Sequence, residues 1–576
     1  MDYTIRIGGE AGQGLQVIGS VLAKLFSRYG LHVFTHQDYM SRIRGGHNYY
    51  QIRFADKPVL SSRDKIDILL ALDLNTITTH QQTLSEKGVI LYDADSVKQK
   101  FSGPQFVNVP FVGITEELGI DIIMANSVAV GAVLGILAMG LDLFDETIAD
   151  FLHGKGASVI ATNRDAAQAG FDFVHKEHKT LEYFRVAVGQ RQGLMLINGS
   201  GAIGLGALLS GCKFYAAYPM TPSTGIMNYL ASKAAEYNLV VEQAEDEISA
   251  INMALGASYG GVRAMTGTSG GGFALMTEGI SLAGMTETPV VIAEVQRPGP
   301  ATGLPTRTEQ GDLFFVLHGG HGEFPRVVFT PGTPEQAFYL TNKAFHLAEK
   351  YQIPVFILSD QYLADSEWTY VGLDAKRLQY EDSRLRKEDL DALQSYHRYA
   401  ITENGISPLA VPGDSIHTVV VDSDEHDEQG HIIEDAPTRV RMVEKRLHKK
   451  LLPIRQEIEP PQFYGPEQPE VILVGFGSTY GLLKEAVDSL SDHYRIGMLH
   501  FSEIFPFPLL EKFDFLSLLE QASLAVCIEN NATSQFARLM RAETGFTFKE
   551  KINKYDGRPF TLDSLLGELN GYLRGL

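Results

Sequence analysis

Residues 194–224, LMLINGSGAIGLGALLSGCKFYAAYPMTPST, pass from a short apolar run through Gly199, Gly201, Gly204 and Gly206 into a small-residue helix, then into a second apolar run. Strand, glycine turn, helix and strand in that order predict a parallel α/β sheet. The glycines admit two readings. They let a helix press closely on a sheet, or they cradle a dinucleotide, for which a single match is weak evidence. A small-residue helix running straight into another strand favours packing. An NAD-linked dehydrogenase ranks low, since no acidic ribose partner is clearly placed after the next strand.

Outward from this stretch, NLVVEQA, RAMTGTS, PVVIAEVQR and IPVFILSD continue the parallel pattern. Two further glycine-rich starts flank it. IRIGGEAGQGLQVIGSVLAKLFSRYG, with DILLALD and GVILYDA, predicts a doubly wound sheet at the N-terminus. PEVILVGFGSTYGLLKEAVDSL opens a small third α/β domain. Between them, YAITENGISPLAVPGDS, VDSDEHDEQGHIIEDAP, RMVEKRLHKKLL and EIEPPQFYGPEQP read as an arm and a proline-marked linker. His426 lies there in what reads as a solvated acidic loop; no metal site is assigned to it. The stretch HQDYMSRIRGGHNYYQIRF reads as a polar loop. Its Arg42, Arg44, Gly45, Gly46 and His47 are either solvated or close on an anion. The expected divisions are 1–190, 191–400, an arm and linker at 401–466, and 467–576.

Bulk properties narrow the function. A chain of 576 residues implies about three or four domains. It is 44% hydrophobic, enough for large cores, and its formal net charge of -21 disfavours nucleic acid. No apolar run is long enough to span a bilayer. The N-terminus lacks the basic and apolar regions of a secretory signal, so a cytoplasmic protein is expected. The two cysteines, Cys212 and Cys527, are too few for an iron–sulfur cluster, which takes about four. Nor do they make a zinc site or a disulfide framework.

The residues that carry chemistry follow the strands of the middle region. Loops after the C-termini of parallel strands share one crevice. YPMTPS supplies Tyr218, Pro219, Thr221, Pro222 and Ser223. TGTSGGGFALMTEGI supplies Thr266, Thr268, Ser269, Gly270, Gly271 and Gly272. VQRPGPATGLPTRTEQGDL supplies Arg297 and Arg307. In EQAEDEISAINMALGA, residues 242–257, three carboxylates precede a helix on which Ile248, Ile251 and Leu255 recur at helical spacing. Glu245, Asp246 and Glu247 are all candidate caps. Capping is the commoner reason for such acids; the competing reading is that one of them points into a site and holds a cofactor.

These stretches, with ENNATSQFARLMR near the C-terminus, resemble the α subunit of 2-oxoacid:ferredoxin oxidoreductases, nearest the 2-oxoglutarate type. GGEAGQG and SRIRGGHNYYQIR resemble the γ subunit of the same enzymes, here fused in front. The resemblance covers essentially the whole chain and implies three α/β domains. They are an N-terminal γ-type domain, a thiamine-diphosphate pyrimidine-binding domain with a parallel sheet, and a small C-terminal domain of the transketolase-C type. It implies oxidative decarboxylation of a 2-oxoacid with coenzyme A to acyl-CoA and CO2, thiamine diphosphate being shared with a β subunit. Mg2+ and a [4Fe-4S] cluster are expected on that β subunit, not on this chain, with electrons leaving through it to ferredoxin and an (αβ)2 heterotetramer as the assembly. Glu247 matches the glutamate on the pyrimidine N1′, leaving Glu245 and Asp246 as caps. Thr221, in a motif the family usually writes YPITP, matches a substrate hydroxyl ligand; Met220 stands for the usual Ile. Tyr218, Pro219, Ser269, Gly270 and Gly271 match the cofactor wall. Arg297 is implied for the substrate carboxylate, Arg307 for a distal one, and Arg42 and Arg44 for coenzyme A. Both guanidiniums of the 297–307 loop also fit a subunit-interface ion pair. The alternatives are the same reaction on pyruvate or branched-chain 2-oxoacids, and a non-catalytic γ–α scaffold that binds coenzyme A.

Overall fold

The computed structural model describes residues 1–42, 45–152, 154–178, 184, 186 and 193–574. Three sheets carry the chain, divided between two compact units. One unit comprises Met1–Ile197, Ser366–Leu373 and Thr561–Leu573; the other comprises Asn198–Asp365, Asp374–Phe560 and Arg574–Leu576.

The first unit holds an eight-stranded sheet. Its strand Asp2–Ala11 pairs in parallel with Ile66–Ala71, as the alternation of IRIGG and DILLA predicts. On its other side it pairs antiparallel with Gly45–Ala55. The expected doubly wound sheet is therefore a mixed one, with antiparallel strands on this side. The stretch expected as a polar loop is mostly strand: His32–Asp38 and Gly45–Ala55 run antiparallel, from His32 opposite Ala55 to Asp38 opposite Tyr49. Tyr50, Ile52 and Phe54 join the apolar core while Gln51 and Arg53 between them are also buried, and that continuous burial outweighs the basic, glycine-rich start. Among the described residues no helix is long and apolar enough to cross a membrane.

The second unit holds the parallel sheet that the opening stretch predicts. Its order is Glu503–Phe505, Val327–Phe329, Pro354–Asp360, Val290–Gln296, Arg263–Thr268, Cys212–Ala217 and Val240–Gln243, with the first strand antiparallel. A five-stranded sheet, parallel except for Gln462–Tyr464, contains the third glycine-rich start at Val471–Phe476. The two sheets share one apolar core, in which Ile292 and Phe356 from one join Val474 and Phe501 from the other, with Phe273 and Phe536 from the covering helices. The glycines of the helix Gly199–Leu209 serve close packing, but against helices rather than the expected sheet: a Cβ on Gly206 would lie 2.6 Å from the carbonyl oxygen of Phe338 on the helix Pro334–Tyr351.

The arm carries more structure than its composition implies. Ala436–Glu457 is one helical run with a π-helical turn at Glu444–Lys449. His426, expected in a solvated loop, is fully buried, with its ring centroid 3.9 Å from that of Tyr399. Its apolar stacking outcompetes the acidic surroundings. Among the described residues no cluster of three or more His, Cys, Asp or Glu side chains is set to hold a metal.

Candidate active site

The C-terminal edge of the parallel sheet gathers most of the singled-out residues. Tyr218 follows the strand Cys212–Ala217 and is 41% exposed. Thr221 is half-buried, and its carbonyl oxygen accepts from Arg297 Nη1 at 2.7 Å. That bond ties the loop after one strand to the loop after another, since Arg297 directly follows Val290–Gln296. Ser223 Oγ donates to the Met220 carbonyl at 2.7 Å and closes the turn into the helix Thr224–Tyr237.

Glu247 is the first residue of the helix Glu247–Tyr259. Asp246 takes the cap: its carboxylate accepts from the Ser249 N–H at 2.7 Å. Glu245 is exposed. The cap being filled, Glu247 has no capping task. It lies instead on the helix's buried stripe with Ala250, Ile251, Ala254 and Leu255. Ile248, expected on that stripe, is 51% exposed, because the inward face runs through 247, 250, 251, 254 and 255. Glu247 is only 3% exposed, and its Oε1 is buried without a hydrogen-bond partner. Burial pushes its carboxyl above the ordinary range, its own backbone N–H opposing the shift and the Asp246 charge adding to it. An orphaned buried acceptor costs free energy unless something donates to it.

The glycine run divides into three tasks at the start of the helix Gly270–Thr286. A Cβ on Gly272 would lie 2.6 Å from Glu247 Cδ and would also collide with Thr268 Oγ1, so only glycine leaves room for the carboxylate. A Cβ on Gly270 would lie 2.5 Å from Asp312 Oδ2. Gly271 is exposed and has nothing nearer than Ala301 O at 3.9 Å and Met220 Sδ at 4.0 Å. It is the open face of the wall. Ser269 is fully buried, and its Oγ has no partner; the same holds for Thr266 Oγ1.

Arg307 sits near the other end of the Arg297 loop. It is 8% exposed, and a Cβ on Gly557 would touch its side chain at 3.4 Å. Gln310, just beyond, is held by the ENNATSQ loop: its N–H donates to Asn530 O at 2.7 Å, and its Oε1 accepts from the Asn530 N–H at 3.0 Å. Gln535 adds a bond from its Nε2 to Gly311 O at 2.6 Å. The small C-terminal sheet thus braces the loop carrying both arginines.

Sequence reasoning missed this brace and the carboxyl pair Glu294 and Asp312 behind Arg297. A glutamate inside the apolar run PVVIAEVQ was the available signal, since charged side chains are almost never fully buried unless paired.

In the first unit, Arg42 is exposed and Arg44 lies outside the described residues. Arg6 Nη1 donates to His80 Nδ1 at 3.0 Å, which places the His80 proton on Nε2. That proton faces His47 Nε2 at 2.7 Å and sets the ring at the start of the GGHNYY strand. Burial, with Arg6 and His47 nearby, lowers His80 to about 3, so the chain stays neutral.

Residues 205–445 match the family model described as pyruvate flavodoxin/ferredoxin oxidoreductase, thiamine diphosphate-binding; residues 4–173 match that of pyruvate ferredoxin/flavodoxin oxidoreductase. The 2-oxoacid:ferredoxin oxidoreductase subunit alpha of Sulfolobus sp is 31% identical over 97% of this chain and 95% of its own length. The 2-oxoglutarate synthase subunit KorA of Methanothermobacter marburgensis is 31% identical over 65% of this chain and 98% of its own. The solved 2-oxoglutarate:ferredoxin oxidoreductase from Magnetococcus marinus, with 2-oxoglutarate, coenzyme A and succinyl-CoA bound, superposes with a TM-score of 0.91 at 30% identity over 99% of both chains. The chain belongs to the α subunits of the 2-oxoacid:ferredoxin oxidoreductases.

Proposed function

We propose that this chain is the α-type subunit, with a γ-type domain at 1–190, of an enzyme that converts 2-oxoglutarate and coenzyme A to succinyl-CoA and CO2. Two electrons leave to ferredoxin through a cluster on a β subunit, which also holds Mg2+ and the cofactor's diphosphate. The pyrimidine-binding domain is 191–400, the arm and linker 401–466, and the C-terminal domain 467–576. The observation that carries the reading is Glu247, a buried carboxylate with an orphaned oxygen, no capping duty, and a glycine opposite it that leaves it room.

The residues present suit thiamine diphosphate. The orphaned Glu247 Oε1 fits the pyrimidine N1′, and the open face at Gly271 admits a ring beside Tyr218, Pro219 and Ser269. When bound, that cofactor supplies the carbon nucleophile for the 2-oxo group. This chain's part is to hold a proton at N1′ through Glu247, in a low-dielectric wall that strengthens the bond. Thr221 orients the substrate near its reacting carbon. Arg297 takes the carboxylate beside it in a bidentate pair, and Arg307 a distal one. In the first unit exposed Arg42 is suited to coenzyme A phosphates, whose charge attracts guanidinium.

The test is reconstitution with the β subunit, Mg2+, thiamine diphosphate and ferredoxin, scoring succinyl-CoA against acetyl-CoA and branched acyl-CoA products. No acyl-CoA from any 2-oxoacid, with clusters intact, would leave the scaffold reading. Arg297→Ala is expected to raise KM for every 2-oxoacid by roughly 2 kcal/mol equivalent, as for a truncated buried charge pair. Arg307→Ala is expected to impair 2-oxoglutarate and spare pyruvate. Equal loss on both substrates would assign Arg307 to the fold or a subunit interface. Gly272→Ala is expected to weaken thiamine diphosphate binding by about tenfold or more, because the new methyl displaces the Glu247 carboxylate. Unchanged cofactor affinity, measured by titrating cofactor-free complex, would count against Glu247 as its ligand.

A further inference from the structure

Behind the Arg297 guanidinium the fully buried Glu294 carboxyl meets that of half-buried Asp312. Glu294 and Gln296 are two residues apart on one strand, so both side chains leave the same face of the sheet. Gln296 Oε1 accepts from the Asp312 N–H at 2.9 Å, and its Nε2 donates to Ser359 O at 3.1 Å. This fixed amide sets Asp312 beside Glu294, carboxyl against carboxyl, with neither Glu294 oxygen bonded to a donor. Glu294 is 0% exposed, and no N–H or hydroxyl group serves either of its oxygens. Two ionised carboxylates offer only acceptors. Their contact therefore stands only if one of them carries a proton. Complete burial, then the Asp312 charge, pushes Glu294 well above the carboxylate range; burial takes Asp312 only to about 6, Glu294 and Arg297 holding it down. Full burial with no donor on either oxygen favours the proton on Glu294.

We infer that Glu294 is a positioning residue: it donates its O–H to Asp312, so that the pair presents one negative charge to hold the Arg297 guanidinium beside Thr221. A doubly ionised pair would set two negative charges against an incoming anion, whereas a single charge is balanced by Arg297. The inference rests on the reading of Arg297 as the group that takes the 2-oxoacid carboxylate.

The experiment uses the chain assembled with its β subunit. Glu294→Gln keeps a neutral donor to Asp312 and is expected to leave kcat and KM for 2-oxoglutarate within about threefold of wild type. Glu294→Leu keeps the volume, loses the donor, and is expected to raise KM about tenfold or more while kcat changes less. A Gln variant as impaired as the Leu variant overturns the inference, as does a Leu variant with unchanged KM. A second measurement needs neither turnover nor the Leu variant. The infrared difference spectrum of the chain alone, wild type minus Glu294→Gln near neutral pH, is expected to show one protonated-carboxyl C=O band. Its absence overturns the proton assignment. Should Arg297→Ala leave KM untouched while that band is present, the Arg297 reading fails and the positioning role with it, but the shared proton stands.

Discussion

Glu247→Gln is expected to cut turnover of the assembled enzyme at least a hundredfold, about 2.7 kcal/mol or more, on the scale of one preorganised electrostatic group. Gln keeps the shape of the side chain and its place opposite Gly272, but it cannot stabilise a proton on N1′ as a carboxylate does. The fold should not register the change as damage. The helix keeps its Asp246 cap, and Glu247 Oε1 gives up no bond. Stability should even improve at neutral pH. A carboxyl held above its unfolded value of about 4.3 leaves the folded chain with more bound proton than the unfolded one, so stability falls as pH rises through that value towards the folded one. Gln removes that loss. Steady-state turnover with 2-oxoglutarate and thermal melts from pH 4 to 8 check both halves. Turnover within a few-fold of wild type would remove Glu247 from the mechanism; lost activity together with a lowered melt would make it a structural group.

The contrast between Glu247 and Glu294 shows what the sequence could and could not disclose. Glu247 was legible because it opens a helix in a motif, EDEISA, long enough to be matched collinearly. Its freedom from capping was not legible, since Asp246 and Glu247 are both chemically able to cap and only the bond to Ser249 N–H decides between them. The parallel strands of the middle region, though not their order, followed from local runs such as PVVIAEVQ and IPVFILSD, whose burial is continuous as in any parallel sheet covered on both faces. The hairpin through GGHNYYQIRF was obscured because its strand begins with glycines and a histidine, and its polar residues are satisfied inside the unit: Arg53 bonds Asp2, and Gln51 takes Arg6. The brace from Asn530 to Gln310 joins positions 220 residues apart. No periodicity carries information over that separation; only the tertiary fold creates it.

The largest stability effect is expected at the arm, where Glu287→Gln should cost about 3–5 kcal/mol, the range for removing one partner from a buried ion pair. Glu287 follows the helix Gly270–Thr286 and is 1% exposed. Lys445 Nζ donates to its Oε1 at 2.6 Å, and Lys450 Nζ to its Oε2. Both lysines are fully buried, and Arg398 donates to the Glu287 carbonyl at 2.7 Å. Burial alone would raise the Glu287 pKa, but Lys445, Lys450 and Arg398 outweigh it and hold the carboxylate far below its ordinary range. One carboxylate therefore anchors the helical run Ala436–Glu457 to the end of the helix that begins at the candidate site. With a folded pKa below the unfolded one, its contribution is complete above about pH 4.3 and is lost as pH falls towards the folded value. Burial, partly offset by Glu287, brings Lys450 down to about 8 even in the wild type. Without Glu287 the two lysines must shed protons at lower pH in order to stay buried. The deficit of the variant should therefore be greatest at about pH 6, where Glu287 is fully ionised in both states, and shrink as pH is raised towards 8. Denaturant titrations at pH 6, 7 and 8, with limited proteolysis of the 436–457 run, read this directly. A deficit below about 1 kcal/mol, the size of an exposed pair, would show that water reaches the lysines and that the arm is held by its apolar contacts instead.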